Sequence, residues 1–167
     1  MTLYHGSNVE VKSPRLLQNQ RELDFGNGFY TTSDIEQAKR WASRTAKRLK
    51  QEKAYVSVYE ISDDVMKSLN ILKFAKSDVE WLRFVVKNRK GQIIENNYDM
   101  IIGSVADDQT APVIDLFLDG MYDEEEAIKR LLPQKLKDQY VFKTEKAIKS
   151  LCFKEVITLW TKFLYIH

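Results

Sequence analysis

Gly26 and Gly28 stand two residues apart, and Phe29 and Tyr30 follow at once. Glycine reaches backbone angles closed to other residues and lets a ligand approach the main chain closely. Tyr30 adds a flat ring with a polar tip. A bare-backbone turn with an aromatic held beside it suits a planar ligand. Other chemistry is restricted. The single Cys152 rules out an internal disulfide and a cysteine metal site. With only two histidines, His5 and His167, a metal centre is poorly supported and none is expected. His5 taken alone reads as a structural histidine. Asp107 and Asp108 follow an expected strand end, where loops carry sites. Helix capping or turn formation is at least an equal role for them.

Those residues need elements to position them. Ser33 with Glu36 forms a capping box, which predicts a helix from Ser33 to about Lys50. Ile35, Ala38, Ala42, Ala46 and Leu49 fall on one stripe of it. Trp41 lies beside that stripe, where packing in a core or groove is its simplest role. Leu3 to Ser7 reads as a strand ending in a turn, and Val9 to Leu17 as loop with a turn of helix. Ala54–Ile61 is rich in β-branched and aromatic residues and reads as a strand. Asp63 opens a short helix through Leu69, and Leu69 to Phe74 is ambiguous. Ser77 with Glu80 repeats the capping box, with Val79, Leu82, Val85 and Val86 inward through about Lys87, before Gly91 ends the unit. Tyr98–Ile102 is a short strand halted by Gly103. Ala111–Leu118 reads as helix, and Asp123 with Glu126 starts another that Pro133 ends. Gln139–Lys143 alternates as a strand, Thr144 caps a helix through Leu151, and Phe153 to Ile166 packs as a last strand. Strands and helices mix without regular βαβ alternation, which favours an α+β fold in a single domain over residues 1–167.

The formal charge of +2 demands neither nucleic acid nor membrane as partner. Basic residues crowd the helix after Ser33, and Asp123 to Glu126 form an acidic run; both read as solvated helix faces before they read as binding sites. No long apolar run could span a bilayer and no charged-then-apolar leader opens the chain. The expected compartment is the cytoplasm, although leaderless export would look the same.

Three segments carry a family resemblance. Tyr4-His5-Gly6-Ser7 resembles the first motif of the ADP-ribosyltransferases of the diphtheria-toxin and poly(ADP-ribose) polymerase type. Gly26 to Thr31 is similar to that family's second motif, a glycine-x-glycine turn followed by an aromatic and a tyrosine. Gln139-Tyr140-Val141-Phe142 resembles the third strand, and Trp41 supplies a second aromatic about three helical turns after Tyr30. The wider wording, including Tyr98 to Gly103 and Ala106-Asp107-Asp108, is similar to a bacterial family of that superfamily. The resemblance implies a split β-sheet core with flanking helices and NAD as substrate. It further implies a macromolecular acceptor, protein or nucleic acid. Because members of that bacterial family resemble toxins, a small neutralising antitoxin protein is implied as a partner. It also implies roles. The Gly6 backbone would hold the nicotinamide amide with support from Ser7. Tyr30 and Trp41 would flank the ring beside Gly28, and His5 would bond a ribose hydroxyl of the adenosine half.

Gln139 departs from the family, which usually carries a glutamate there. An amide keeps a hydrogen bond to the nicotinamide ribose but removes a negative charge. Two charges about 4 Å apart at an effective dielectric of ~20 interact by roughly 4 kcal/mol, or about three powers of ten in rate. Either catalysis tolerates that loss or a nearby carboxylate compensates. Asp138 should point to the opposite face of a regular strand. Glu145 has the right parity but suits the first turn of a helix. NAD hydrolysis and a catalytically silent NAD-binding or ADP-ribose-binding module are the alternatives, and the missing charge argues against chain elongation.

Overall fold

The computed structural model describes residues 1–17, 23–92, 97–107 and 109–161. Its strands form two sheets. In the first, β1 (Thr2–Ser7), β3 (Lys53–Glu60) and β7 (Cys152–Trp160) lie antiparallel in the order β1-β3-β7. In the second, β2 (Phe29–Thr31), β6 (Asp138–Phe142), β5 (Met100–Ser104) and β4 (Ile71–Lys73) run in the order β2-β6-β5-β4. Only β4 and β5 pair in parallel there. The helices are α1 (Ile35–Arg48), α2 (Asp63–Ser68), α3 (Val79–Arg89), α4 (Ala111–Leu118), α5 (Glu124–Leu131) and α6 (Glu145–Lys149). The fold is α+β.

Among the described residues the backbones of the two sheets pair at one bridge, in which Tyr4 and Thr32 exchange hydrogen bonds of 2.9 and 3.0 Å. Core formation follows the two-residue alternation of the strands. Met100, Ile102 and Phe142 pack on one face of the second sheet with Leu3, Phe29 and Tyr59. Ile101 and Val141 pack on the other with Trp81, Leu82 and Val85 of α3. A sheet covered on both faces explains the unbroken apolar run from Met100 to Ile102. Along β1, Leu3 and His5 share one face, while Tyr4 and Gly6 face α1. The fully buried Ala38, Ala42 and Ala46 form the α1 face of that contact. Approach is so close that a Cβ on Gly6 would lie 2.0 Å from the Ala38 carbonyl oxygen.

Several boundaries differ from expectation for local reasons. Asp34, not Ser33, caps α1, accepting the Gln37 N–H, because the Ser33 N–H and hydroxyl both bond the Asp138 carboxylate. Asp78, not Ser77, caps α3, while the Ser77 hydroxyl donates to the Leu131 carbonyl. Ser62 caps α2, one residue before Asp63. Strand β5 runs through Gly103 to Ser104, and a Cβ at Gly103 would meet the Phe25 ring at 2.8 Å. Leu49 leaves the apolar stripe and is half exposed at the end of α1. Residues 162–166 of the expected last strand lie outside the described residues, as do Asp108 and His167.

Candidate functional site

Past the Tyr4–Thr32 bridge, continued pairing would set Gly6 opposite Tyr30. The pairing stops instead, and a cleft of about 820 Å³ opens between β1 and β2. His5, Gly6 and Ser7 line it from the first sheet, Gly28, Tyr30 and Gln139 from the second, and Trp41 from α1. The residues to which the family resemblance gives roles therefore all line one cleft. Such a volume lies in the usual range for a small-molecule site.

Backbone direction decides what β1 offers. Tyr4 spends its N–H and C=O on Thr32, so both point away from β3. Two residues on, the N–H and C=O of Gly6 point the same way, beyond the last bridge. A donor and an acceptor side by side match a carboxamide. Glycine at this position is required independently by the approach of α1. Ser7 accepts a long bond of 3.4 Å from the Val9 N–H and marks the turn out of the strand.

His5 Nδ1 lies 2.7 Å from the Tyr30 carbonyl oxygen. A carbonyl can only accept, so Nδ1 carries the proton and Nε2 is left as an acceptor. The ring stacks on Phe29 with centroids 4.4 Å apart. Burial lowers its pKa from 6.5, partly offset by the bond to Tyr30, so the neutral form prevails at neutral pH. A lowered imidazole value means that the unfolded chain takes up the proton first as pH falls. Stability from His5 is therefore complete above pH 6.5 and declines below it. We expect the melting temperature to drop as pH falls from 6.5 towards 5.5, and a His5→Gln variant to show a shallower drop. The carboxylates Asp34, Asp99 and Glu124, all held below their ordinary range by hydrogen-bonding partners, titrate at lower pH.

Tyr30 is a fixed wall and not an acid or base. Its hydroxyl donates to the Gly26 carbonyl at 2.6 Å and accepts the Phe25 N–H at 3.1 Å. Burial raises its pKa well above the ordinary phenol value. The rest of the glycine loop is tied equally firmly. Asn88 donates to the Asp24 carbonyl at 3.1 Å and Lys143 to the Phe25 carbonyl at 2.5 Å; burial lowers the Lys143 pKa to about 8. Gly26 has φ +69° and needs to be glycine on that ground. Gly28 does not have a positive φ; a Cβ there would meet Val141 Cγ1 at 2.5 Å and the Phe142 carbonyl oxygen at 2.9 Å. Its bareness serves packing on β6, although it also lines the cleft. Trp41 is half-buried and belongs to none of the three core clusters, so its ring is available to the cleft.

Gln139 is 2% exposed, and its Nε2 donates to the Ser104 carbonyl at 3.1 Å. The Trp81 indole N–H donates to the same oxygen at 3.1 Å. Ser104 O thus demands a donor, which an amide supplies and an ionised carboxylate cannot. Asp138 faces the other way, as strand parity requires, and binds Thr32 and Ser33. Glu145 is exposed in the first turn of α6. Asp107 accepts from the Gln109 and Thr110 N–H groups as a turn residue.

The two carboxylates that do line the cleft, Glu10 and Asp24, were not singled out from the sequence. Asp24 Oδ1 pairs with Arg89 at 2.7 Å, and its Oδ2 accepts the Ala106 N–H at 3.2 Å. Its place directly before Phe25-Gly26 was the available signal. Arg89, from the last turn of α3, carried none.

Fold and site together define an α+β protein with an aromatic-walled cleft where two sheets part. The chain belongs to the DUF3990 family, described as protein of unknown function, whose model matches residues 1–153. No curated protein matches it.

Proposed function

We propose that the cleft binds NAD and that the protein is a mono-ADP-ribosyltransferase. The observation that carries this is the convergence of His5, Tyr30 and Gln139, from segments far apart in sequence, on one cleft. The N–H and C=O of Gly6 suit the carboxamide of nicotinamide, and the rings of Tyr30 and Trp41 suit its faces. His5 Nε2 would accept from a ribose hydroxyl of the adenosine half, and Gln139 Oε1 from a hydroxyl of the nicotinamide ribose. In the reaction, the bond between nicotinamide and ribose C1′ breaks and its electron pair leaves with nicotinamide. An acceptor nucleophile then bonds C1′ and gives up its proton. Positioning is the protein's main contribution.

A neutral Gln139 supports a second proposal, a module that holds NAD without turning it over. The acceptor would be a protein or nucleic acid; water as acceptor would make the protein an NAD glycohydrolase. No described helix is long and apolar enough to cross a membrane. A cytoplasmic toxin or effector restrained by a small antitoxin protein rests on the sequence resemblance. Incubation with NAD labelled in the adenylate half separates the possibilities. Transfer predicts label on a macromolecule, hydrolysis free ADP-ribose, and silent binding neither. Millimolar NAD should raise the melting temperature of the parent and raise that of Tyr30→Ala far less. An unchanged parent melting temperature would count against NAD altogether.

A further inference from the structure

The cleft holds five charged side chains, and their pairing is uneven. Arg89 is committed to Asp24 at 2.7 Å and reaches Asp115 at 3.5 Å. Lys12 pairs with Glu10 at 3.3 Å. Arg15 also lines the cleft, is exposed, and has no hydrogen-bond or ion-pair partner among the described residues. The balance of the cleft is thus one guanidinium short of an anion.

Arg15 is not on a loose tail. Residues 8–17 form a strap that crosses the His5 face of the first sheet at Val11, which bonds Ser57 and Tyr59, the partners of His5 and Leu3. The Val11 N–H donates to Ser57 Oγ at 3.0 Å, and the Tyr59 hydroxyl donates to the Val11 carbonyl. Leu16, next to Arg15, packs against the core beneath. The strap is thus tied to the first sheet at Val11 and packed on its core at Leu16, on either side of Arg15, whose exposed side chain lines the cleft.

We propose that Arg15 is the anchor for the phosphate groups of a nucleoside-diphosphate ligand. A guanidinium offers paired donors to phosphate oxygens in a fork that an ammonium cannot reproduce. Gly6, Tyr30 and Trp41, which on the NAD proposal take the planar amide, carry no charge, and Arg15 on the strap supplies one to the same cleft. A ligand with a planar amide-bearing ring at one end and a diphosphate in its middle satisfies both. The inference deepens the NAD proposal by assigning its charged part, yet it can be tested apart from it.

The test is isothermal titration of the parent, Arg15→Gln and Lys67→Gln with ADP, NAD and nicotinamide at two salt concentrations. Lys67 sits on α2, paired to Asp64 and away from the cleft. Arg15→Gln should weaken ADP and NAD about tenfold, flatten the salt dependence of both, and leave nicotinamide unchanged. Lys67→Gln should match the parent throughout. Dependence of ADP binding on Arg15 with no binding of NAD or nicotinamide would keep the phosphate anchor and remove NAD. Arg15→Gln binding ADP and NAD like the parent would overturn the anchor and leave NAD standing. A parent that binds neither ADP nor NAD overturns both.

Discussion

Gly6→Ala should cost at least ~3 kcal/mol and lower the melting temperature by about 10 °C. The added methyl would lie 2.0 Å from the Ala38 carbonyl oxygen and 2.9 Å from the Ala42 nitrogen. Both are backbone atoms of α1, so no rotamer change relieves the clash. The helix must move off β1, and the contact of Ala38, Ala42 and Ala46 with Val56 opens with it. Because Trp41 rides on α1, the same displacement should widen the space between its ring and Tyr30. Thermal denaturation with circular dichroism checks the expectation. A Gly6→Ala protein melting with the parent would show that α1 and β1 are not locked as described.

Gln139→Ala should slow nicotinamide release about a hundredfold, in line with removal of one oriented transition-state hydrogen bond. NAD affinity should change little, since on the proposed function the amide meets the ribose and not the rings. The Ser104 carbonyl keeps the Trp81 indole as a donor, so the fold survives. Introducing the carboxylate that the ADP-ribosyltransferases this chain resembles usually carry is expected to fail. Gln139→Glu would put an ionised acceptor beside Ser104 O at about the present 3.1 Å, in a site only 2% exposed. Desolvation and that carbonyl would raise the new group's pKa. Its stability deficit should therefore be largest at neutral pH and shrink as pH falls and the protonated acid donates where the amide did. Release kinetics on the parent and both variants, with melting curves across pH, decide the matter. Parental turnover in Gln139→Ala would remove the residue from the mechanism.

What could be read from the chain was set by local signals. The strand of β-branched residues expected over Ala54–Ile61 forms at Lys53–Glu60, and the Thr144 cap of α6 and the Asp123 cap of α5 stand as expected. Three caps fall one residue from expectation where serine and aspartate adjoin, at Ser33-Asp34, Ser62-Asp63 and Ser77-Asp78. Either side chain can cap, and at the first and last the serine is engaged by distant partners, Asp138 and Leu131, that no local window contains. Gly103 read as a stop, although its lack of a side chain makes room for Phe25 within a strand. Gly28 likewise read as an invitation to a ligand when β6 is its nearest demand.

The site was legible where motif and cleft coincide, at His5, Gly6, Tyr30, Trp41 and Gln139. Its charges were not. Asp24 and Arg89 lie far apart in the chain and meet only through the packing of α3 on the glycine loop. Arg15 gains meaning only once its neighbours' partners are known. Pairing across the fold, which spacing along the chain does not encode, separates a solvated arginine from one facing a cleft.

Two plates that share a core and are pinned by backbone at one point describe the sheets, for the Tyr4–Thr32 bridge is their sole backbone pairing among the described residues. A molecule seated in the gap touches both plates and acts as a brace. By mass action, an occupant at a hundred times its dissociation constant adds about 2.7 kcal/mol to the folded state. The resting protein is thus open to reinforcement at the place where its own backbone pairing ends.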